Sequence, residues 1–365
     1  MAASSFKRKN CEGLAAERPH DPAGDRTRDL RDKSKIKILR RLHLLYLGGT
    51  LAIFLPGVAV GQPPGKPAPV IGLLTWASCD GPPNARGLGE FGALESGLVD
   101  LGYKPGENVT IECRSANRRY EGFQAAATEL VRVRADVIVA SSQSATEAAG
   151  LATHTIPIVT IADMPFANSF AAPEGNLTGA IYSTIELTDK RLELLKEMVP
   201  SLANVGVLSN PNGNYPAFEG HARRAAGELD IAASFHRVSE PADLEDAFAR
   251  MKAEGAMGVF VSPDLMFESE ASRIAALAVQ YRLPTMTWDR RLTEAGCLLA
   301  YSVNNSELER RLAFYVDRVL NGVAAGDLPI ERASSFWLSI NLRTAKALGI
   351  EVPPSLLLMA DEVIE

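Results

Sequence analysis

Ala135-Asp-Val-Ile-Val-Ala140 follows an amphipathic stretch over 121–134 and runs straight into Ser141-Ser-Gln-Ser144. Val137, Ile138 and Val139 are apolar in succession, as a strand must be when helices cover both faces of its sheet. The unit recurs outward in both directions. Short apolar runs at 69–74, 108–113, 135–140, 157–162, 204–209, 257–262 and 284–288 are separated by amphipathic stretches such as 121–134, 188–199, 216–228, 242–254 and 270–282. Val259-Phe-Val261 repeats the pattern of consecutive apolar positions. Alternating β and α at this interval specify an α/β chain with parallel sheets made of βαβ units. About 300 residues of such pattern point to two lobes rather than one.

In open parallel sheets, ligands bind at the carboxyl ends of strands, where loops and helix amino termini present unpaired N–H groups. Here those ends read Thr75-Trp-Ala-Ser78, Ser141-Ser-Gln-Ser144, Asp163-Met164, Asn210-Pro-Asn212, Ser262-Pro-Asp264 and Trp288-Asp-Arg290. Hydroxyls and amides orient a carboxylate, an Asp pairs with an ammonium, and a Trp stacks on a ring. Each residue also has an architectural reading. Asp163 and Asp264 are placed to cap helices, Trp76 and Trp288 to pack between lobes, and Asn210 to form a turn before Pro211. Arg290 and Arg291 read as solvated surface charges. Tyr182 and Tyr301 fall near the expected lobe crossings, as hinge-lining or core residues.

Residues 44–60 form an apolar run directly behind Arg40-Arg41, with small residues at Ala59 and Gly61 offering a cleavage site before Gln62. This is the pattern of a cleavable secretory signal. The run is short for a membrane span and contains Pro56, so no stable membrane insertion is expected after cleavage. Gln62-Pro-Pro-Gly-Lys-Pro-Ala-Pro then forms a Pro-rich tether. Residues 1–61 hold 12 Lys and Arg against 6 Asp and Glu, so the remainder carries 26 basic and 38 acidic side chains, a net of −12. That balance disfavours nucleic acid and other polyanions as partners. Cys79, Cys113 and Cys297 remain, without metal or redox spacing. Their odd number argues against a disulfide framework, and the apolar, strand-like contexts of Cys113 and Cys297 favour packing as small hydrophobes over the one bridge that an oxidising compartment would allow.

Gly87-Leu-Gly-Glu-Phe-Gly92 satisfies the GxGxxG pattern, with Glu112 twenty residues beyond, where an NAD-dependent oxidoreductase carries its ribose-binding acid. Twelve residues separate Leu74 from Gly87, too many for the tight turn the pyrophosphate needs. Other catalytic signatures are missing: no HExxH, GxSxG or Walker loop occurs, and His154, His221 and His236 lack metal spacing. A non-enzymatic protein without cofactor is the expectation.

Several longer stretches resemble one family. Arg273-Ile-Ala-Ala-Leu-Ala-Val-Gln-Tyr-Arg-Leu-Pro-Thr-Met-Thr287, Glu294-Ala-Gly-Cys-Leu-Leu-Ala-Tyr-Ser302 and Ile340-Asn-Leu-Arg-Thr-Ala-Lys-Ala-Leu-Gly-Ile-Glu-Val-Pro-Pro-Ser-Leu-Leu357 follow one another. Upstream stand Thr188-Asp-Lys-Arg-Leu-Glu-Leu-Leu-Lys-Glu-Met-Val-Pro200, Gly175-Asn-Leu-Thr-Gly179, Asp136-Val-Ile-Val-Ala140 and Val70-Ile-Gly-Leu-Leu74. In order and spacing, over roughly residues 68–365, they resemble the ABC-transporter substrate-binding proteins of the tryptophan/tyrosine-binding type.

The resemblance implies two Rossmann-like lobes joined by a multi-crossing hinge, the type I periplasmic binding protein fold. Lobe 1 is expected over 69–183 plus 301–325 and lobe 2 over 184–300 plus 326–365. It implies a periplasmic monomer that captures a small solute, an aromatic or branched apolar amino acid, for an ABC permease and its ATPase. A ligand-sensing protein serving a membrane receptor is the alternative. The family's Gly-Thr-Pro-Ala loop stands here as Ser142-Gln-Ser-Ala145, so Gln143 and Ser144 depart from it. Asp264 matches an acid that implies an ammonium partner, Asn210 matches an Asn-Pro, and Thr75-Trp76 replaces the small polar start of the first loop. The expected contacts are thus Thr75, Trp76, Ser78, Ser142, Gln143, Ser144, Asp163, Tyr182, Asn210, Asp264, Trp288 and Tyr301.

Overall fold

Ile71, Leu73, Val137 and Val139 pack on one side of a sheet, and Leu74, Ile138 and Ala140 on the other; all seven are buried. That double burial is what makes these runs continuously apolar. The computed structural model describes residues 67–79, 91–162, 170, 171, 173, 175–182, 184–213 and 216–365. In chain order the elements are β1 (Val70–Thr75), α1 (Gly92–Asp100), β2 (Thr110–Ser115), α2 (Gly122–Arg132), β3 (Val137–Ala140), α3 (Gln143–Ala152), β4 (Ile158–Ala162) and β5 (Leu177–Ile181). Then come α4 (Thr188–Met198), β6 (Asn204–Ser209), α5 (Pro216–Glu228), β7 (Ala232–Arg237), α6 (Leu244–Ala253), β8 (Gly258–Val261), α7 (Leu265–Ser269), α8 (Ala271–Tyr281), β9 (Thr285–Thr287), α9 (Arg290–Glu294) and β10 (Leu299–Val303). The chain ends with α10 (Asn305–Leu320), β11 (Glu331–Arg332), β12 (Phe336–Asn341), α11 (Leu342–Leu348), α12 (Pro354–Met359) and β13 (Glu362–Ile364).

Two sheets result. The first has the order β11-β5-β4-β3-β1-β2 and is parallel throughout. The second, β13-β12-β10-β9-β8-β6-β7, is parallel except at the β10–β12 pair. Helices α1 and α10 cover one face of the first sheet, α2 and α3 the other. On the second sheet Val207, Phe260 and Met286 pack toward α4 and α5, while Leu208, Val259 and Val261 pack toward α6 and α8. Each lobe is therefore a three-layer α/β sandwich.

Three chain crossings join the lobes: after β5, after β10 and between β11 and β12. β10 lies in the second sheet and β11 in the first, so the returning segment starts and ends later than the 301–325 expected from sequence. The seven strand runs read from sequence all contain strands, whereas β5, β7, β10, β11, β12 and β13 were not among them. In β5, Gly179 explains the miss: at φ +135°, a Cβ there would lie 1.9 Å from the Thr160 carbonyl oxygen. The close approach needs a glycine, which weakens the apolar signature of a strand.

One expectation is corrected. Cys79 and Cys113 form a disulfide, with Cα atoms 5.9 Å apart. Their 34-residue separation is bridged because β1 and β2 are neighbours, with Leu73 beside Cys113. Cys297 is a buried free thiol. The signal-like run, most of the tether, Asp163 and the Gly87–Glu90 part of the GxGxxG pattern lie outside the described residues; Gly92 starts α1. Among the described residues, no helix is long and apolar enough to cross a membrane.

Candidate functional site

The carboxyl ends of β3, β8 and β9 turn directly into helices, and each turn is made by a capping side chain. Ser142 Oγ accepts the Ala145 N–H at 3.2 Å to start α3. Asp264 Oδ1 accepts the N–H groups of Met266 and Phe267, at 2.9 and 3.3 Å, to start α7. Asp289 Oδ1 accepts the Arg291 N–H at 2.8 Å to start α9. These caps satisfy helix donors that would otherwise be left unpaired. They also aim three strand ends into one cleft between the lobes, of about 830 Å³ with its open mouth included.

From lobe 1 the cleft is lined by Tyr120 and Ser141–Ser144, and from α10 by Asn305 and Glu309. Tyr182 and Thr184 contribute from the first crossing. Lobe 2 supplies Asp264, Glu268, Trp288, Asp289 and Arg291. The Tyr120 hydroxyl donates across the cleft to Asp264 Oδ2 at 2.6 Å, and Asn210 Nδ2 donates to Oδ1 at 3.2 Å. Arg291 gives its Nε to Asp289 Oδ1 at 3.0 Å and its Nη2 to Oδ2 at 2.9 Å, while Nη1 lies 2.7 Å from Glu268. Asn305, at the start of α10, donates to Asp289 Oδ2 and so ties the second crossing to the same carboxylate.

Four carboxylates and one guanidinium line the cleft among the described residues. Burial raises the Asp264 carboxyl above the ordinary carboxylate range, against the lowering effect of the Tyr120 and Asn210 hydrogen bonds. Burial also penalises the Asp289 carboxylate, but Arg291 outweighs it and holds that carboxyl below its usual value. Arg291 remains charged for the reciprocal reason: burial opposes the charge, and Glu268 and Asp289 more than restore it. Such a field suits a ligand bearing an ammonium and repels an anion without one. Among the described residues no cluster of His, Cys, Asp and Glu could hold a metal ion.

Six sequence-derived candidates meet in this cleft: Ser142, Gln143, Ser144, Tyr182, Asp264 and Trp288. Of the others, Asp163 lies outside the described residues, and the remaining five do not line it. Thr75 is fully buried and Ser78 is exposed. Trp76, 4% exposed, packs against Tyr120 and Phe123 at ring distances of 4.8 and 5.9 Å, and its Nε1 donates to Ser269 of lobe 2 at 3.0 Å. Asn210 stands behind Asp264 as its hydrogen-bond donor. Tyr301 stacks on Phe336 at 6.0 Å.

The reading of Arg291 as a solvated charge is overturned by its place in the cleft, whereas Arg290 pairs with Glu294 and Glu362 and stays outside. Sequence reasoning also missed Tyr120, Glu268 and Glu309. Tyr120 follows the carboxyl end of β2, the strand end left unread. Glu268 lies one helical turn beyond Asp264, on the same face of α7. Asn305 and Glu309 bear the same spacing at the start of α10.

The sequence model of the ABC transporter substrate binding proteins matches residues 88–364. The tyrosine-binding protein of Clostridioides difficile (strain R20291) is 24% identical over 262 residues, 70% of this chain and 74% of that protein. Among solved structures, a conserved domain protein from Vibrio cholerae superposes with a TM-score of 0.73 at 22% identity, over 81% of this chain and 99% of that one. The ABC domain from Streptococcus pneumonia in complex with L-Trp gives 0.72 at 20% identity over the same shares. A ligand-free, open substrate-binding protein with adhesive properties from Clostridium difficile gives 0.57 at 21%. At these identities the structural likeness is one of fold, the two-lobed type I periplasmic binding protein architecture. The family match spans most of the chain, lobes and hinge alike, and the protein belongs to the ABC transporter substrate binding proteins.

Proposed function

We propose that this protein is the solute-capturing component of an ABC importer, working in the periplasm and taking an amino acid with an aromatic or branched apolar side chain between its lobes. The Tyr120–Asp264 hydrogen bond carries the reading, because it joins the two lobes across a cleft that also holds Tyr182, Trp288 and an excess of carboxylates. A clamp of this kind favours its closed form when one solute touches both lobes, and the shifted population is what a permease reads. The aromatic side chains offer ring-stacking surfaces, and the negative field favours an ammonium. The names of the tyrosine-binding relative and of the Trp-bound neighbour agree with that chemistry. The Cys79–Cys113 bridge agrees with an oxidising compartment, as does the signal-like run ahead of Gln62.

Isothermal titration of residues 62–365 against L-tyrosine, L-tryptophan, L-phenylalanine, L-leucine, sugars, nucleobases and NAD tests the proposal. Saturable 1:1 binding of at least one of the four amino acids is expected. Binding confined to sugars or nucleobases would replace the ligand class while leaving the carrier role, and NAD binding would revive the oxidoreductase reading.

A further inference from the structure

We infer that Arg291 and Glu268 together receive the charged head of the ligand, with Arg291 taking the carboxylate and Glu268 the ammonium. The inference rests on the amino-acid reading above and names the side chains that would enforce it. Arg291 is the one cation lining the cleft among the described residues. Its guanidinium carries five N–H donors. Asp289 occupies Nε and one donor of Nη2, and Glu268 faces Nη1. One donor then remains on each terminal nitrogen for the oxygens of a carboxylate.

Accessibility separates the roles of the two acids. The Asp289 side chain is 2% exposed and is bonded to Arg291 and Asn305, so it orients the guanidinium. Glu268 is 22% exposed and Arg291 40%, and both line the cleft. A zwitterion entering there exchanges one internal ion pair for two, Arg291 with its carboxylate and Glu268 with its ammonium, and leaves the charge of the cleft unchanged. A lone amine or a lone acid satisfies one partner and leaves the other with the pair it already has.

Asp264 is poorly disposed for the ammonium that the family resemblance assigns to it. Its Oδ1 already accepts from Met266, Phe267 and Asn210, and its Oδ2 accepts from Tyr120. Space beside Oδ2 is filled as well, since a Cβ on Gly213 would lie 2.5 Å from it. Asp264 thus builds the cleft wall, and Glu268, one turn further along α7, presents the carboxylate.

Titration with L-tryptophan, tryptamine and 3-indolepropionate tests this division, since the last two each keep one charge of the head. Wild type is expected to bind L-tryptophan at least roughly tenfold more tightly than either analogue. Arg291→Gln should weaken L-tryptophan by roughly 30-fold while changing tryptamine by less than about threefold. Glu268→Gln should weaken L-tryptophan comparably and leave 3-indolepropionate unchanged. Arg291→Lys should recover only part of the loss, because an ammonium presents its donors from a single nitrogen. Glu268→Gln keeps the test valid if Arg291→Gln fails to fold. L-tryptophan affinities within threefold of wild type in the folded variants would overturn the inference alone. Failure of wild type to bind any of the four amino acids named above would overturn the ligand reading, and this inference with it.

Discussion

Tyr120 donates to a buried carboxylate on the opposite lobe, and that one bond couples the two halves of the cleft. Tyr120→Phe removes a hydrogen bond to a charged acceptor, worth about 1.5 kcal/mol or more. Ligand affinity should fall roughly tenfold with little change in the far-ultraviolet spectrum, as titration calorimetry would show. Asp264→Ala should do more, because it strips the α7 cap and leaves Asn210 without its acceptor. We expect about 2–4 kcal/mol lost in urea unfolding, and an unchanged midpoint would contradict the architectural role. Trp76→Ala belongs with it: a buried indole with a cross-lobe hydrogen bond should cost about 3–5 kcal/mol in stability. Had Trp76 lain against the ligand, the loss would appear in affinity with stability nearly intact.

The two buried acids respond to pH in opposite senses. Asp289 has its carboxyl lowered in the fold, so it contributes stability above its unfolded pKa of about 4 and loses it as the pH falls through the lower folded value. Asp264 has its carboxyl raised, so its ionised form is penalised above the folded value and the penalty disappears on acidification. Melting temperature followed from about pH 5 to pH 2 should therefore decline less steeply in Asp289→Asn than in wild type. An identical or steeper decline would show that Asp289 is not a source of acid lability.

At the scale of elements, α4 carries a group that periodicity alone does not explain. Arg191 is 1% exposed, and its Nε and Nη1 donate to the carbonyl oxygens of Tyr301 and Thr184 at 2.7 and 2.8 Å. Thr184 belongs to the first crossing and Tyr301 to the strand that leads into the second, so one guanidinium holds two legs of the hinge in register. Arg191→Met leaves two buried acceptors without this donor and should cost about 3 kcal/mol in urea unfolding. Arg191→Lys should recover only part, since a point charge cannot span two carbonyls as a planar fork does. The Cys79–Cys113 bridge acts on the loop between β1 and β2. With the cysteines 34 positions apart, replacing both by Ser should lower stability by about 3–4 kcal/mol, a loss that a reductant would reproduce in wild type.

Several elements with a continuous buried face were legible in the sequence. The helix expected over 188–199 is α4 at Thr188–Met198, and the one expected over 270–282 is α8 at Ala271–Tyr281. Of the four edge strands only β2 was read. β7, β11 and β13 each lie at the end of a sheet or are only two or three residues long, and their half-buried patterns do not stand out from loops.

For the molecule as a whole, the lobes meet through Trp76–Ser269 and Tyr120–Asp264 on the cleft side and through three crossings on the other. Solute held between them should stabilise the folded chain by about 2.7 kcal/mol at 100 times its dissociation constant. Scattering should register compaction on binding if the clamp closes further, and a thermal shift without compaction would point to a cleft already closed. The sequence by itself determined the class of molecule: alternating strands and amphipathic helices, polar residues at strand ends, and family motifs in order along the chain. Each of those signals is local, set by which face of an element meets the core. Which strand ends converge was decided only by tertiary structure. Trp76 and Arg291 look equally like loop residues in sequence, yet lobe packing buries the first and places the second in the cleft. Cys79 and Cys113 pair only because β1 and β2 lie side by side. Contacts between residues tens to hundreds of positions apart depend on how sheets and lobes are placed, and periodicity carries no record of that placement.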